Sequence, residues 1–506
     1  MRKIFMVVFL GLCSFTLLFH VLAEQEDVRT PAFAGQFYPA SPKALKLAVE
    51  RYLKDAIPAG ADKPLAIVAP HAGYIFAGQI AADAYNQVAG RSYDLVVILG
   101  TNHTTPGFNK VALYPGSGFR TPLGTAFVDK QVIDALVRKN PENFVKDASP
   151  HEQEHSVEVQ IPFVQHLFPR ARIVPVVIGV PDVSLCTRFG KALAEVLKDR
   201  NVLIVASSDL SHYPAAGDAG RVDRETLRAV VRLDPSLLHT RIEEQMGKGV
   251  DNLVTCACGE GPILAAIAAA KGLGATRGVA VSYANSGDVI IGESGRVVGY
   301  GAIALTAGKG ESDTRALEPT KATSGGAEPL TGEQKQKLLA FAREVIDRFL
   351  TTETVPFVRG ADSRLLVKQG AFVTLTKRGE ARGCVGHLVE DMPLEKVVGW
   401  ASLQAAFNDP RFTPLEESEW REVEIEISVL TPAKGIKGPE EIVVGRDGVL
   451  MEKDGTGAVF LPQVATEQRW SRDQMLDNLC LKAGLKAGCW KKDARFQTFQ
   501  ADVFHE

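Results

Sequence analysis

Leu65–His71 reads L-A-I-V-A-P-H and runs on through A-G-Y-I-F-A-G to Gly78. Two later stretches repeat the design: D-L-V-V-I-L-G-T-N-H over Asp94–His103, and N-V-L-I-V-A-S-S-D-L-S-H over Asn201–His212. Each opens on an apolar run rich in Val, Ile and Leu. Strands buried on both faces of a parallel sheet look like this, although periodicity alone also fits a buried helix. Each run then reaches Pro, Gly or Ser and presents a histidine. Ligands of open α/β sheets bind beyond the carboxyl ends of the strands. The three runs therefore predict one site at a sheet edge, built from His71, His103 and the Asp209/His212 pair.

Outward from these runs, strand-like and helix-like segments alternate across Ala32–Leu305, which predicts an α/β domain with a largely parallel sheet. Ser41 and Pro42 start a helix running to about Leu53. Gln79–Val88 reads as a second helix, Arg172–Gly179 as a further buried strand, and Val279–Ala284 and Val297–Leu305 as closing strands. Ala307–Leu330 has almost no large apolar residue and predicts a flexible linker. Thr331 with Gln334 forms a capping box, and Leu338, Ala342, Val345, Ile346 and Phe349 give the helix behind it one apolar face. Shorter strands follow at Gly370–Thr376, Glu422–Leu430 and Gly448–Lys453. The alternation in Val423–Val429 is that of a half-exposed antiparallel strand, so the C-terminal region is a separate α+β domain. The division is 1–23, an export segment; 29–306, the α/β domain; 307–330, the linker; and 331–505, the α+β domain.

At 506 residues the chain exceeds one typical domain. A net charge of −3 offers no basic surface, which excludes nucleic acid as a partner. Arg2 and Lys3 precede an apolar run from Ile4 to Ala23, and Val21-Leu22-Ala23 suits signal cleavage before Glu24. The chain is read as exported, periplasmic or extracytoplasmic. A retained single-span anchor is the alternative, and only retention implies a membrane. Besides Cys13 in that segment there are six cysteines, too few for a disulfide scaffold in so large a chain. Cys186, Cys480 and Cys489 read as small buried hydrophobes.

A metal needs convergent electron-pair donors. His71 and His103 supply imidazoles that suit iron, copper or zinc, and Cys258 adds sulfur. Cys258 precedes Gly259 in T-C-A-C-G-E-G-P-I (Thr255–Ile263), where a helix start favours thiolate. Asp209 and His212 are placed to orient a ligand or move protons. A competing pattern is H-E-Q-E-H, His151 to His155, which matches the zinc-protease motif. Pro150 and Pro162 confine it to a short segment, so a zinc-dependent hydrolase on His151 and His155 stands as an alternative. His155 and Glu158, one helical turn apart, also suit the strand-end site. In A-R-G-C-V-G (Ala381–Gly386), Cys384 beside Arg382 is a candidate nucleophile, the other reading being a tight turn around a buried thiol.

Taken together, R-T-P-A-F-A-G-Q-F-Y-P, P-H-A-G-Y-I-F-A-G, L-G-T-N-H, T-P-L-G, E-H-S-V-E-V-Q-I-P-F, S-S-D-L-S-H-Y and C-G-E-G-P-I resemble the Memo family over about Arg29 to Leu305. That resemblance implies a fold like class III non-haem iron dioxygenases. It also implies an iron or copper site on His71, His103 and Cys258, zinc ranking behind, with Asp209 and His212 in the same pocket. Cys258 stands where the dioxygenases use a carboxylate, so ring cleavage is not implied. A-R-G-C-V-G, N-D-P-R-F, E-I-S-V-L and K-A-G-L resemble an AMMECR-type domain over about Thr331 to Phe504, with Ala381 where that family has leucine. The pair of domains implies the bacterial AmmeMemoRadiSam system and a functional link to its radical-SAM protein, whose cytoplasmic chemistry sits apart from an exported chain. The expected function is a metal-dependent, oxidoreductase-like redox protein acting on a small-molecule or peptide ligand. A non-catalytic binding module is the other reading.

Overall fold

The computed structural model describes residues 27–308, 310–318, 328–359 and 362–506. The expected export segment and part of the expected linker lie outside the described residues. Among the described residues no helix is long and apolar enough to cross a membrane.

The three quoted stretches form neighbouring strands of one eight-stranded sheet. In chain order its strands are β1 (Pro64–Ala69), β2 (Leu95–Thr101), β3 (Val111–Leu113), β4 (Phe144–Lys146), β5 (Arg172–Ile178), β6 (Val202–Ser207), β7 (Arg277–Asn285) and β8 (Gly299–Thr306). They lie side by side as β7-β8-β1-β6-β2-β5-β3-β4. The four central strands are parallel, and their residues are almost entirely buried, as continuous Val/Ile/Leu runs require. The edges differ from a purely parallel sheet: β8 meets β1, and β3 meets β5, antiparallel. Register places Ala69 opposite Ser207 and Leu99 opposite Ala206, so β1, β6 and β2 end together. That alignment carries His71, Asp209 and His103 to one rim.

Helix Tyr74–Asn86 starts directly after Gly73, ahead of the expected Gln79. Nothing between these positions breaks a helix, and Tyr74 N–H donates to Phe37 O at 2.7 Å. Helices Val183–Leu197 and Glu260–Gly272 pack at Gly190, where an added Cβ would stand 2.4 Å from Ala265 O. The first part of the expected linker belongs to this domain. Asp313 pairs with Val279, Ser312 Oγ donates to Val231 O at 2.7 Å, and Leu317 is buried.

In the C-terminal region a four-stranded antiparallel sheet runs Glu380–His387, Ala371–Lys377, Val423–Leu430, Ala501–His505. Helices Gly332–Thr352 and Leu394–Leu403 pack on it, and a second small sheet follows. Ala381–Gly386 is strand rather than tight turn, because Gly383 lets Ala405 approach: a Cβ there would meet Ala405 O at 2.1 Å. Cys480 and Cys489 are not independent hydrophobes. The turn between them closes a disulfide.

One buried carboxylate seats the N-terminal arm. Glu158 accepts from Arg29 Nη1 (2.5 Å), Tyr38 Oη (2.5 Å) and the backbone N–H groups of Ala32 (3.0 Å) and Phe33 (2.9 Å). Truncating Glu158 strands a buried guanidinium. Glu158→Ala is expected to lower stability by about 3–5 kcal/mol, measured by denaturant unfolding, whereas Glu50→Ala on the surface stays within about 0.5 kcal/mol.

Candidate metal centre

His71 stands two residues past β1. Its backbone N–H and that of Ala72 donate to Asp209 Oδ1 at 2.8 and 3.2 Å. Ser207 Oγ donates to Ser156 O at 2.6 Å, so it accepts from His71 Nδ1 at 3.0 Å. The proton is thereby assigned to Nδ1, and the Nε2 lone pair faces the site. Gln160 Nε2 supports the same hydroxyl at 2.9 Å. His103 is oriented alike: its Nδ1–H donates to Glu154 Oε1 (2.9 Å) and its backbone N–H to Glu154 Oε2 (2.7 Å).

His155 follows Glu154 directly. Its ring stacks on His103 with centroids 4.6 Å apart, and His71 stands edge-on to both, at 5.3 Å from His103 and 5.2 Å from His155. One ligand nitrogen from each of the three imidazoles lies within 4.8 Å of the others. Cys258 Sγ is 3.1 Å from His71 Nε2. Three imidazoles, one of them backed by a carboxylate, are a donor set that fits a divalent transition metal.

The protonation states suit ligation. Burial, helped by the nearby His103, lowers His71 to about 3. Burial and His71 lower His155 to about 3. Burial alone would raise Glu154, but the hydrogen bond and charge of His103 outweigh it and bring the carboxylate to about 2. His71 and His155 are thus neutral and the Glu154 carboxylate ionised at ordinary pH. Cys258 departs from expectation. Burial, then the charge of Asp209, push its thiol well above the usual range, so the helix start alone does not hold a thiolate. A bound metal would have to displace that proton.

From the expected set His71 and His103 converge, with His155 as the third member, and Asp209 and Cys258 lie beside His71. His212 stands on the Asp209 loop, its Nδ1–H donating to Leu210 O at 3.0 Å. Burial raises Asp209, and the neighbouring His212 opposes that rise. The H-E-Q-E-H stretch is divided between two short helices, Ser149–Glu152 and His155–Glu158, which separates its histidines. His155 joins the cluster. His151 is packed against Tyr114 and Phe119, its Nε2 held 3.2 Å from Ala112 O.

Cys384 belongs to the other domain. Arg382, expected to activate it, instead pairs with Glu419 at 2.5 Å. Thr374 Oγ1 lies 3.2 Å from the Cys384 sulfur, Asp409 Oδ2 accepts its backbone N–H at 2.9 Å, and Arg411 Nη2 donates to its carbonyl at 3.1 Å. Sequence reasoning missed Glu154, Ser207 and Gln160. For Ser207 and Gln160 the signal was a polar residue where the chain is otherwise apolar, at the end of β6 and ahead of Pro162, whereas Glu154 sits in a polar run that gave none.

His71 and His155 take up protons near pH 3 when folded and near 6.5 when unfolded. Between these values the unfolded chain binds more protons, so stability falls as pH falls below about 6.5. Glu154 acts in the same direction, its contribution being present above about 4.5 and lost toward 2. Thermal unfolding of the metal-free protein from pH 7.5 to 5 is expected to show this decline. His155→Gln should make it shallower by up to about 1.4 kcal/mol per pH unit.

The family profile described as Memo-like protein matches residues 29–304, and that described as AMMECR1 matches residues 339–504. A MEMO1 family protein of Methanopyrus kandleri is 38% identical over 292 residues, covering 55% of this chain and 99% of the relative. One of Aquifex aeolicus is 37% identical over 277 residues, covering 54% and 97%. Among solved structures, an uncharacterized protein of Pyrococcus horikoshii shows 34% identity, covering 35% of this chain and 93% of that one, with a TM-score of 0.34.

Proposed function

The chain belongs to the Memo-like protein family and carries an AMMECR1 domain behind it, and from that premise we propose that its first domain is an exported redox protein holding iron or copper. The observation that carries this reading is the meeting of three imidazoles, His71, His103 and His155, with the Cys258 sulfur 3.1 Å from His71 Nε2. Imidazole alone suits zinc equally well. A sulfur donor beside imidazoles suits copper(I), zinc and iron, and the redox role proposed here requires iron or copper among them. When bound, such a metal supplies Lewis acidity and a one-electron couple.

The protein's own groups set the rest. Ser207 and Glu154 hold His71 and His103 with Nε2 toward the site, which limits the reorganisation needed to bind an ion. Asp209 Oδ1 fixes the His71–Ala72 backbone, while Oδ2 lies 4.0 Å from His71 Nε2. His212, with Nδ1–H committed to Leu210 O, has Nε2 free to accept or return a proton. His103 also lines a cavity of about 290 Å³ with Asn102, Phe108, Gly179 and Val180, room for a small molecule or one peptide side chain.

Anaerobic purification followed by metal quantification tests the assignment. About one iron or copper per chain is expected, with His71→Ala, His103→Ala and His155→Ala each losing it and His151→Gln keeping it. Cys258→Ser should retain the nitrogen ligands and bind copper(I) at least about tenfold more weakly. Wild-type protein that neither contains nor takes up metal would refute the proposal. Metal without any redox turnover would leave a binding module.

The accessible thiols provide a separate check. Cys186 and Cys256 are fully buried, while Cys258 and Cys384 are half-buried. Iodoacetamide is expected to label Cys384 first and Cys258 more slowly, because burial and Asp209 hold its proton, and loading with metal should protect Cys258 further while leaving Cys384 reactive, read by peptide mass spectrometry.

A further inference from the structure

The second domain is seated on the first by an apolar patch with polar contacts around it. Val289 and Ile290 of the first domain are buried together with Val345, Val355 and Leu403 of the second, and Trp400 packs against them. Arg51 pairs with Asp347 at 2.9 Å, and Arg348 with Asp55 and Arg359 with Asp83 make further cross-domain ion pairs. One contact differs in kind. Lys396, on helix Leu394–Leu403, is only 8% exposed, and its Nζ donates to two backbone carbonyls, Gly292 O at 2.8 Å and Gly287 O. Asp288 and Asp391 supply opposite charge near it.

Those carbonyls belong to a tight turn. Asn285 Oδ1 accepts the Gly287 N–H at 2.8 Å, and Asp288 Oδ2 accepts the Asn285 N–H at 2.8 Å. The turn closes so narrowly that a Cβ on Gly292 would lie 1.7 Å from Ser286 O. It is tied to the strand beyond it, Ser286 N–H donating to Val298 O at 2.8 Å. From there a continuous ladder leads into the site. Leu210 N–H donates to Gly299 O (2.8 Å), and Tyr213 N–H to Val297 O (2.7 Å). His212 N–H donates to Thr255 O (3.1 Å), and Val254 N–H to His212 O (3.1 Å). Thr255 lies three residues before Cys258.

We infer that Lys396 of the second domain is a positioning residue for the site in the first: by holding the Gly287–Gly292 turn, it sets the ladder that carries Asp209, His212 and Cys258. The relatives that match over 97–99% of their own length have no counterpart of the second domain. This support is therefore a property of the fused chain. The inference uses the site proposed above but is read on the metal-free protein, so it stands or falls apart from metal loading.

The test compares the full-length wild type, Lys396→Met, Lys396→Arg and Arg359→Gln without metal. Hydrogen exchange is measured at the amides of Leu210, His212, Tyr213 and Val254, and iodoacetamide labelling at Cys258. Lys396→Met should accelerate exchange at these amides and labelling of Cys258 by about tenfold, a size set by the loss of a buried charged donor to two carbonyls. Lys396→Arg, which keeps a cation with several donors, should restore both toward wild type. Arg359→Gln loosens the same interface through Asp83 and should leave both unchanged. Unchanged exchange and labelling in Lys396→Met, or equal acceleration in Arg359→Gln, would overturn the inference, the second by reducing it to general loosening. Where Lys396→Met does not purify folded, Lys396→Gln is read by the same criteria.

Discussion

Glu154 is buried and ionised among groups that must not share its charge. It accepts the Nδ1–H and the backbone N–H of His103 and the backbone N–H of Ser156 at 2.8 Å, and it lies 3.4 Å from His155 Nδ1. A carboxylate removed from water survives only with its lone pairs satisfied. Meeting that requirement here brings the β2 end and the short helix after Gln153 against one another. The imidazoles of His103 and His155 stack as a consequence, and His71 closes the triangle from β1. Without the carboxylate, neither ring has a reason to face the same point.

A second buried carboxylate performs a mechanical task beside it. Glu158, one turn beyond His155, collects Arg29, Tyr38 and two backbone amides, and so seats the N-terminal arm. Phe33 and Phe37 from that arm then pack against the His155 ring at 5.5 and 4.7 Å. The apolar shell on this side of the cluster thus depends on an ion pair rather than on apolar burial alone. Such shells restrict solvent and tune a metal's reactivity.

The two domains meet in the manner of a protein–protein interface, with an apolar centre and charged groups around it. Their placement is more than covalent tethering. The turn gripped by Lys396 is continuous, through backbone hydrogen bonds, with the loop that carries Asp209 and His212. The disulfide between Cys480 and Cys489 lies in the far part of the second domain and closes a short local loop there. Bonds of this kind persist in oxidising compartments.

Short-range chemistry was legible in the chain itself. Continuous Val, Ile and Leu runs identified the three central strands, because only residues buried on both faces can dispense with alternation. The histidines at their ends marked the rim, and Ser41, Thr331 and Gln334 announced helix starts, because caps are satisfied within a few residues. What the sequence left open was long-range. That His155 and not His151 joins the cluster follows from a break at Gln153–Glu154, which satisfies a carboxylate rather than a helix. Cys258 keeps its proton because burial, and then the charge of Asp209, 49 residues away in the chain, outweigh the helix start. Arg382 turns to Glu419 for a like reason. Spacing along a polypeptide constrains which groups can meet, but the competition among buried charges for the few available partners is settled only once the fold has excluded water from them.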